Sequence, residues 1–405
     1  MKYNKPELVA PAGDWCALNS AIEAGCDSLY FGVKGVNMRA LADNFDILEI
    51  KKVMELLRKH NVKGYLALNV IAFDKELDKI KSILEEAKSS GVDAIVLWDM
   101  GVLNLAKEMG LNIHLSTQAS VSNIEAVKFY VSQGVKRIIM ARECELRGIK
   151  KIIDYIQKEK IDCQIEAFIH GAMCVSISGR CFMSQEFFKK SANRGECLQP
   201  CRREYLITDV DDGYQYILGK DYVLSPKDLC TIDYLDRLIE AGIHAFKIEG
   251  RMRSPEYVKV ATSAYRKAID SYFAGDLDDK LKKELKEELK KVYNKGFSEG
   301  FYLGVSPLDL GSGGVKSEYE KVFLGEVIKF YKRISVAEIN IMNEGLEKGQ
   351  EILFMGKNTP ASFAKADDIE IDHQGIDFAE KGKKIGVKVP FNVKPKDKVF
   401  ILRKR

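Results

Sequence analysis

One phrase recurs within the first 270 residues: an amphipathic stretch, a glycine, two or three further residues, then a short apolar run. It reads Glu23-Ala24-Gly25-Cys26-Asp27-Ser28-Leu29-Tyr30, Ser90-Gly91-Val92-Asp93-Ala94-Ile95-Val96, Gln133-Gly134-Val135-Lys136-Arg137-Ile138-Ile139 and Ala241-Gly242-Ile243-His244-Ala245-Phe246. The glycine supplies the left-handed position that ends a helix, and the apolar run reads as a buried parallel strand. Filling the gaps gives eight strands, at 7–13, 28–33, 64–70, 94–99, 113–118, 137–142, 164–171 and 244–250. Between them, stretches such as 47–60 and 75–89 return apolar residues at helical steps of three and four.

Eight strand–helix units with right-handed crossovers close most simply as a TIM-like (β/α)8 barrel, with a doubly wound open sheet as the alternative. In a barrel the polar residues at strand C-termini converge on one face: Asn69, Asp99, Ser116, Gln118, Arg142, Glu143, Glu166, His170, Lys247, Glu249 and Arg251. Capping and loop hydrogen bonding account for many such residues, but so many on one face favour a site. From Tyr319 the code changes to alternation, as in Ser335-Val336-Ala337-Glu338-Ile339-Asn340-Ile341, with Gly, Asn and Pro turns between short runs. That argues for a small all-β barrel, similar in pattern to the second domain of translation elongation factors. The expected organisation is a catalytic barrel over 1–275, a helical and turn-rich linker over 276–318, and a separable β domain over 319–405.

Composition narrows the class. Hydrophobic residues at 46% and charged residues at 30% suit a globular chain, and no apolar run approaches the roughly 18 residues a membrane span needs. The start, Met1-Lys2-Tyr3-Asn4-Lys5-Pro6, has no apolar signal core, so a soluble cytoplasmic protein without a membrane partner is expected. A net charge of +4 allows a local basic patch without requiring a polyanion. Nine cysteines in a reducing compartment suggest a metal or redox site rather than disulfides.

Four of those cysteines lie in an insertion of unusual length after the seventh strand, 172–224. Cys174, Cys181, Cys197 and Cys201 have the spacing C-x6-C-x15-C-x3-C. Four soft thiolates can hold zinc or an iron–sulfur cluster, and the wide gaps favour the cluster over zinc, whose knuckles use tight C-x2-C pairs. Unligated thiols are the third reading, and Cys230 is a reserve ligand; Cys16, Cys26, Cys144 and Cys163 read as small buried hydrophobes. Basic and aromatic residues interleave with the four cysteines: Arg180, Phe182, Phe187, Phe188, Lys189, Lys190, Arg194, Arg202 and Arg203. They suit RNA, cations on phosphates and rings on an extruded base, or equally the packing of the insertion onto the barrel. Glu166 and His170, close in sequence to Cys174, are candidates for moving protons. Arg251 and Arg253 suit a dicarboxylate or phosphate, or equally loop support.

The run Glu166 to Arg202, with the opening Glu7-Leu8-Val9-Ala10-Pro11-Ala12-Gly13 and Lys247-Ile248-Glu249-Gly250-Arg251-Met252-Arg253-Ser254-Pro255-Glu256-Tyr257, resembles the peptidase U32 family across the whole barrel. The resemblance implies one of two activities. One is collagenase-type proteolysis. The other is oxygen-independent hydroxylation of RNA, such as conversion of the tRNA wobble uridine to 5-hydroxyuridine, with prephenate as hydroxyl donor and a [4Fe–4S] cluster on cysteines matching Cys174, Cys181, Cys197 and Cys201. It also implies tRNA or another RNA, and a second U32 chain, as partners. The sequence has no H-E-x-x-H, no G-x-S-x-G and only five histidines, at 60, 114, 170, 244 and 373, so hydroxylation is the expected activity and proteolysis the alternative. A noncatalytic RNA-binding module is a further alternative.

Overall fold

The structure is a computed structural model and describes residues 3–203, 205–218, 226–304 and 315–405. Eight parallel strands run in chain order: β1 (Glu7–Pro11), β2 (Ser28–Gly32), β3 (Lys63–Ala67), β4 (Ala94–Leu97), β5 (Ile113–Leu115), β6 (Val135–Ile139), β7 (Gln164–Ala172) and β8 (Ala245–Ile248). Each pairs with the next, and β8 pairs with both β7 and β1, so the sheet closes into a TIM-like barrel. The helices between them include α1 (Trp15–Glu23), α2 (Ile50–Lys59), α3 (Leu77–Ser90), α4 (Met100–Glu108), α5 (Ile124–Ser132), α6 (Leu146–Lys158), α7 (Leu235–Glu240) and α8 (Pro255–Ala274). The glycines of the recurring phrase, Gly25, Gly91, Gly134 and Gly242, all have positive φ, as their helix-ending role requires.

The strands stop short of several expected ends, because polar residues there turn to capping. Asp99 lies past β4 and accepts from the backbone N–H of Gly101 and Val102 at the start of α4. The barrel core is apolar and shared by strands and helices, with Leu8, Phe31, Ile95, Ile138, Phe246 and Tyr265 among its most buried members.

After β7 the chain makes a short helix, Met183–Phe188, and an antiparallel hairpin, Tyr205–Thr208 with Gln215–Leu218. It returns as a short strand, Asp228–Cys230, lying antiparallel to the end of β7, with Cys230 opposite His170. The last residues assigned to the insertion, 219–225, and much of the turn-rich linker, 305–314, lie outside the described residues. Helix α9 (Asp279–Lys291) precedes a C-terminal unit of antiparallel sheets. Its main strands are β9 (Tyr319–Tyr331), β10 (Val336–Ile341), β11 (Glu351–Gly356), β12 (Thr359–Lys365), β13 (Ile369–Ile371), β14 (Gln374–Gly375), β15 (Lys384–Lys388) and β16 (Lys398–Lys404), in the order β12-β11-β16-β9-β10-β15-β13-β14. This unit has its own core around Leu324, Ile339, Phe354 and Ile401. Among the described residues no helix is long and apolar enough to cross a membrane.

Candidate functional site

Two cavities share a wall at the C-terminal mouth of the barrel. The inner one, about 40 Å³, is bounded by strand residues Ala67, Val96 and Ile139 and by the polar groups of Arg39, Arg142, Lys247, Glu249 and Arg251. The outer one, about 110 Å³, is lined by Cys174, Cys181, Cys197 and Cys201. Met38, Arg39, Thr117, Gln118 and Arg142 line both.

Close backbone packing brings the mouth loops together. Gly171 has φ +106°, and a Cβ there would lie 2.4 Å from the carbonyl oxygen of Glu249; at Gly13 it would lie 2.1 Å from that of Arg251. Only glycine fits either place. The loop after β2 delivers Arg39, whose guanidinium sits 3.0 Å from the Glu249 carboxylate, while Arg142, beyond β6, approaches it at 3.7 Å. Burial alone would raise Glu249, but Arg39, Arg142 and Arg251 outweigh it and hold the carboxyl down to about 2. Arg251 is fixed by a 2.9 Å bond to the Asn37 side chain. Among the described residues the inner cavity therefore carries four cations against the single carboxylate of Glu249 on its wall. A small anion would find bidentate partners there.

All four cysteines face the outer cavity, and none of these thiols is deeply buried. Burial raises Cys197 and Cys201, the latter to about 11, and nearby Cys174 adds to both shifts. Backbone N–H groups are aimed at two of the sulfurs, Met183 to Cys181 at 3.3 Å and Gln199 to Cys197 at 3.4 Å. Methionines 38, 173, 183 and 252 supply much of the remaining wall. Among the described residues no three His, Cys, Asp or Glu side chains converge closely enough to hold a single metal ion. Four thiols set around a cavity, with N–H donors on two of the sulfurs and no histidine or carboxylate among the described lining residues, fit a multi-atom iron–sulfur group better than one zinc ion. Cys230 stands apart, buried behind β7 with its sulfur 3.7 Å from the Tyr265 hydroxyl. It does not join the other four.

Residues 13–309 match the model of peptidase family U32. The chain belongs to that family. It is 41% identical over 402 residues to an uncharacterized protease of Methanocaldococcus jannaschii, covering 98% of each chain. It is 37% identical over 416 residues to a collagenase of Porphyromonas gingivalis, covering 100% of each. It is also 35% identical over 361 residues to tRNA hydroxylation protein P1 of Bacillus subtilis, covering 87% of this chain and 84% of that one. Family U32 thus spans names from both chemistries.

Within this U32 barrel the four expected proton and anion residues part company. Arg251 faces the inner cavity. Arg253 faces a neighbouring pocket, ion-paired to Asp228 at 3.2 Å and lying over the Tyr293 ring. Glu166 is fully buried inside the barrel, bonded to Lys247 at 2.7 Å and to Arg137 at 3.3 Å, and lines neither cavity. His170 is turned away from the mouth into a cage of Tyr257, Tyr265 and Phe297, where burial and then Arg253 push its imidazole down to about 3. A neutral, enclosed ring there has a packing role, and its sequence distance from Cys174 misleads. The pairing of β7 with β8 shifts register between Lys247 and Ile248, beside His170, and strand alternation alone could not reveal that shift.

The basic and aromatic residues of the insertion also divide. Arg180 bonds Ser120 at 2.8 Å, Arg194 bonds the Ile71 carbonyl and Glu76, and Arg202 reaches the Met173 carbonyl at 3.3 Å, so these three anchor the insertion. Phe182 and Phe187, 70% and 57% exposed, together with Lys189, Lys190 and Arg203, face solvent. Arg39 and Asn37 escaped the sequence reading; their only signal was that Val36-Asn37-Met38-Arg39 follows β2 on the catalytic face.

Proposed function

We propose that this U32 protein is an iron–sulfur enzyme that hydroxylates RNA without molecular oxygen, with the tRNA wobble uridine as substrate and 5-hydroxyuridine as product. The observation that carries this reading is the stacking of a four-thiol cavity on a cation-lined one at a single barrel mouth. Cys174, Cys181, Cys197 and Cys201 would hold a [4Fe–4S] cluster, which supplies electron transfer when bound. Arg39, Arg142 and Arg251 would grip a carboxylate co-substrate, prephenate being the expected hydroxyl donor. The exposed Phe182 and Phe187 rings would receive an unstacked base, with Lys189, Lys190 and Arg203 on flanking phosphates. Replacing C–H by C–OH on the base is a net oxidation, so the donor that gives up the oxygen is reduced in the same event.

Similarity to a collagenase supports proteolysis as the second reading. It lacks an engine at this mouth. His60 and His373 are exposed, His114 and His170 are buried, His244 bonds the Ile165 backbone, and among the described residues no histidine or aspartate lines the mouth cavities. A nucleophile there would have no histidine beside it among the described residues.

Anaerobically purified protein should contain about four irons and four sulfides per chain, as a cubane on four thiolates requires. Alanine at any of the four cysteines should remove most of the iron, while Cys230→Ala should keep it. Zinc without sulfide in the wild type, or iron retained in all four variants, would refute the cluster assignment.

A further inference from the structure

We propose that Lys247 is the catalytic proton donor of the inner cavity and that Glu166 acts through it as a positioning residue. The hydroxylation reading supplies the substrate for this step; the assignment of the amine rests on the cavity itself.

The inner cavity offers few groups that can release a proton. Arg39, Arg142 and Arg251 are guanidiniums, which stay charged in proteins. Lys247 is the one amine on the wall among the described residues, and it is 3% exposed. Its ammonium lies 2.7 Å from one oxygen of Glu166 and 4.2 Å from the Tyr30 ring centre. Glu166 is shared: its other oxygen faces Arg137 at 3.3 Å, and Arg137 is in turn held by Glu7 at 2.9 Å. A carboxylate divided between two cations orients the ammonium but binds its proton less tightly than an unshared partner would.

The surroundings pull both ways, with burial the largest influence. Burial lowers Lys247, Glu166 opposes that, and Arg251 lowers it further, with Glu249 a weaker opposing charge. Arg39 and Arg142 stand beside Glu249 on the same wall, and His114 on β5 is held neutral by burial. The Tyr30 hydroxyl points away, donating to the Ile248 carbonyl at 2.9 Å.

The step this geometry allows is simple. An oxyanion seated between the arginines takes a proton from Nζ: the N–H bond breaks, an O–H bond forms and a neutral amine remains beside Glu166. Solvent returns the proton when the product leaves. A purely structural cation would serve as well with arginine in its place, and that gives the test.

In full-length, anaerobically purified protein, Lys247→Arg should lower product formation about 100-fold, the usual scale of a lost general acid, with iron content and RNA affinity unchanged. Lys247→Ala should be similarly slow and should recover in part with added ethylamine. Independently of turnover, cyanate adds to neutral amines, forming an N–C bond as the amine proton moves to the carbamoyl nitrogen. Peptide mass mapping across a pH series should show Lys247 carbamylated with a midpoint below that of the exposed Lys189, and Glu166→Gln should move that midpoint lower still. Wild-type turnover in Lys247→Arg would overturn the assignment, as would a cyanate midpoint equal to that of Lys189 or no labelling at all. A wild-type protein that forms no hydroxylated nucleoside would defeat the hydroxylation reading, while the cyanate titration would still decide Lys247.

Discussion

At the level of single residues, the barrel interior is a chain of alternating charge, from Glu7 through Arg137 and Glu166 to Lys247. Such buried pairs tolerate the loss of one partner poorly, because the other charge is left desolvated. Glu249 offers a cleaner measurement because its folded value, about 2, lies below the ordinary 4.5. A depressed carboxyl contributes stability that is present above its unfolded pKa and lost as pH falls toward its folded one; here the contribution is about 3 kcal/mol. Glu249→Gln should therefore be less stable than wild type near pH 6, and the gap should close between about pH 4.5 and pH 2, read from urea midpoints over that range. A gap independent of pH would mean that the arginines do not hold this carboxylate. The cysteines were legible in the sequence because one contiguous segment carries all four. The Arg39–Glu249 pair was not, since it joins residues 210 positions apart.

At the level of elements, strand count, helix ends and barrel class followed from periodicity and glycine placement, whereas strand ends did not, because capping competes with pairing there. The insertion is pressed against the loop after β2 at Gly195. Its φ is +82°, and a Cβ would lie 2.1 Å from the Asn37 carbonyl oxygen and 2.8 Å from the Ala40 nitrogen. Those are backbone atoms with nowhere to go. Gly195→Ala should lift the insertion and cost about 1–3 kcal/mol locally through backbone strain. Most iron should be lost while barrel circular dichroism is kept. Full iron content in this variant would show that the insertion does not depend on that contact.

At the level of the whole molecule, the two cores meet chiefly along α1, with α8 beside it. The segment 319–405 was expected to be separable, and it does have its own core, yet β12 and the turn before it dock on α1. The Ala361 backbone N–H donates to the Ser20 hydroxyl at 2.8 Å, Asn19 donates to the Lys357 carbonyl at 3.1 Å, and Cys16 lies 3.3 Å from the Thr359 carbonyl. Sequence alternation reports which face of a strand is apolar, but it is silent on which helix covers that face. Deleting 319–405 should leave a folded barrel whose melting temperature is several degrees lower, since the buried face of α1 becomes wet. An unchanged melting temperature would make the joint incidental. The central claim concerns RNA, and the most direct measurement is mass spectrometry of nucleosides digested from tRNA and ribosomal RNA of a strain lacking this protein. Loss of 5-hydroxyuridine or a derivative of it, restored by the wild-type chain and not by one with Cys174, Cys181, Cys197 and Cys201 changed to alanine, is the result predicted. An unaltered nucleoside profile, with peptide cleavage by cluster-free protein, would contradict it.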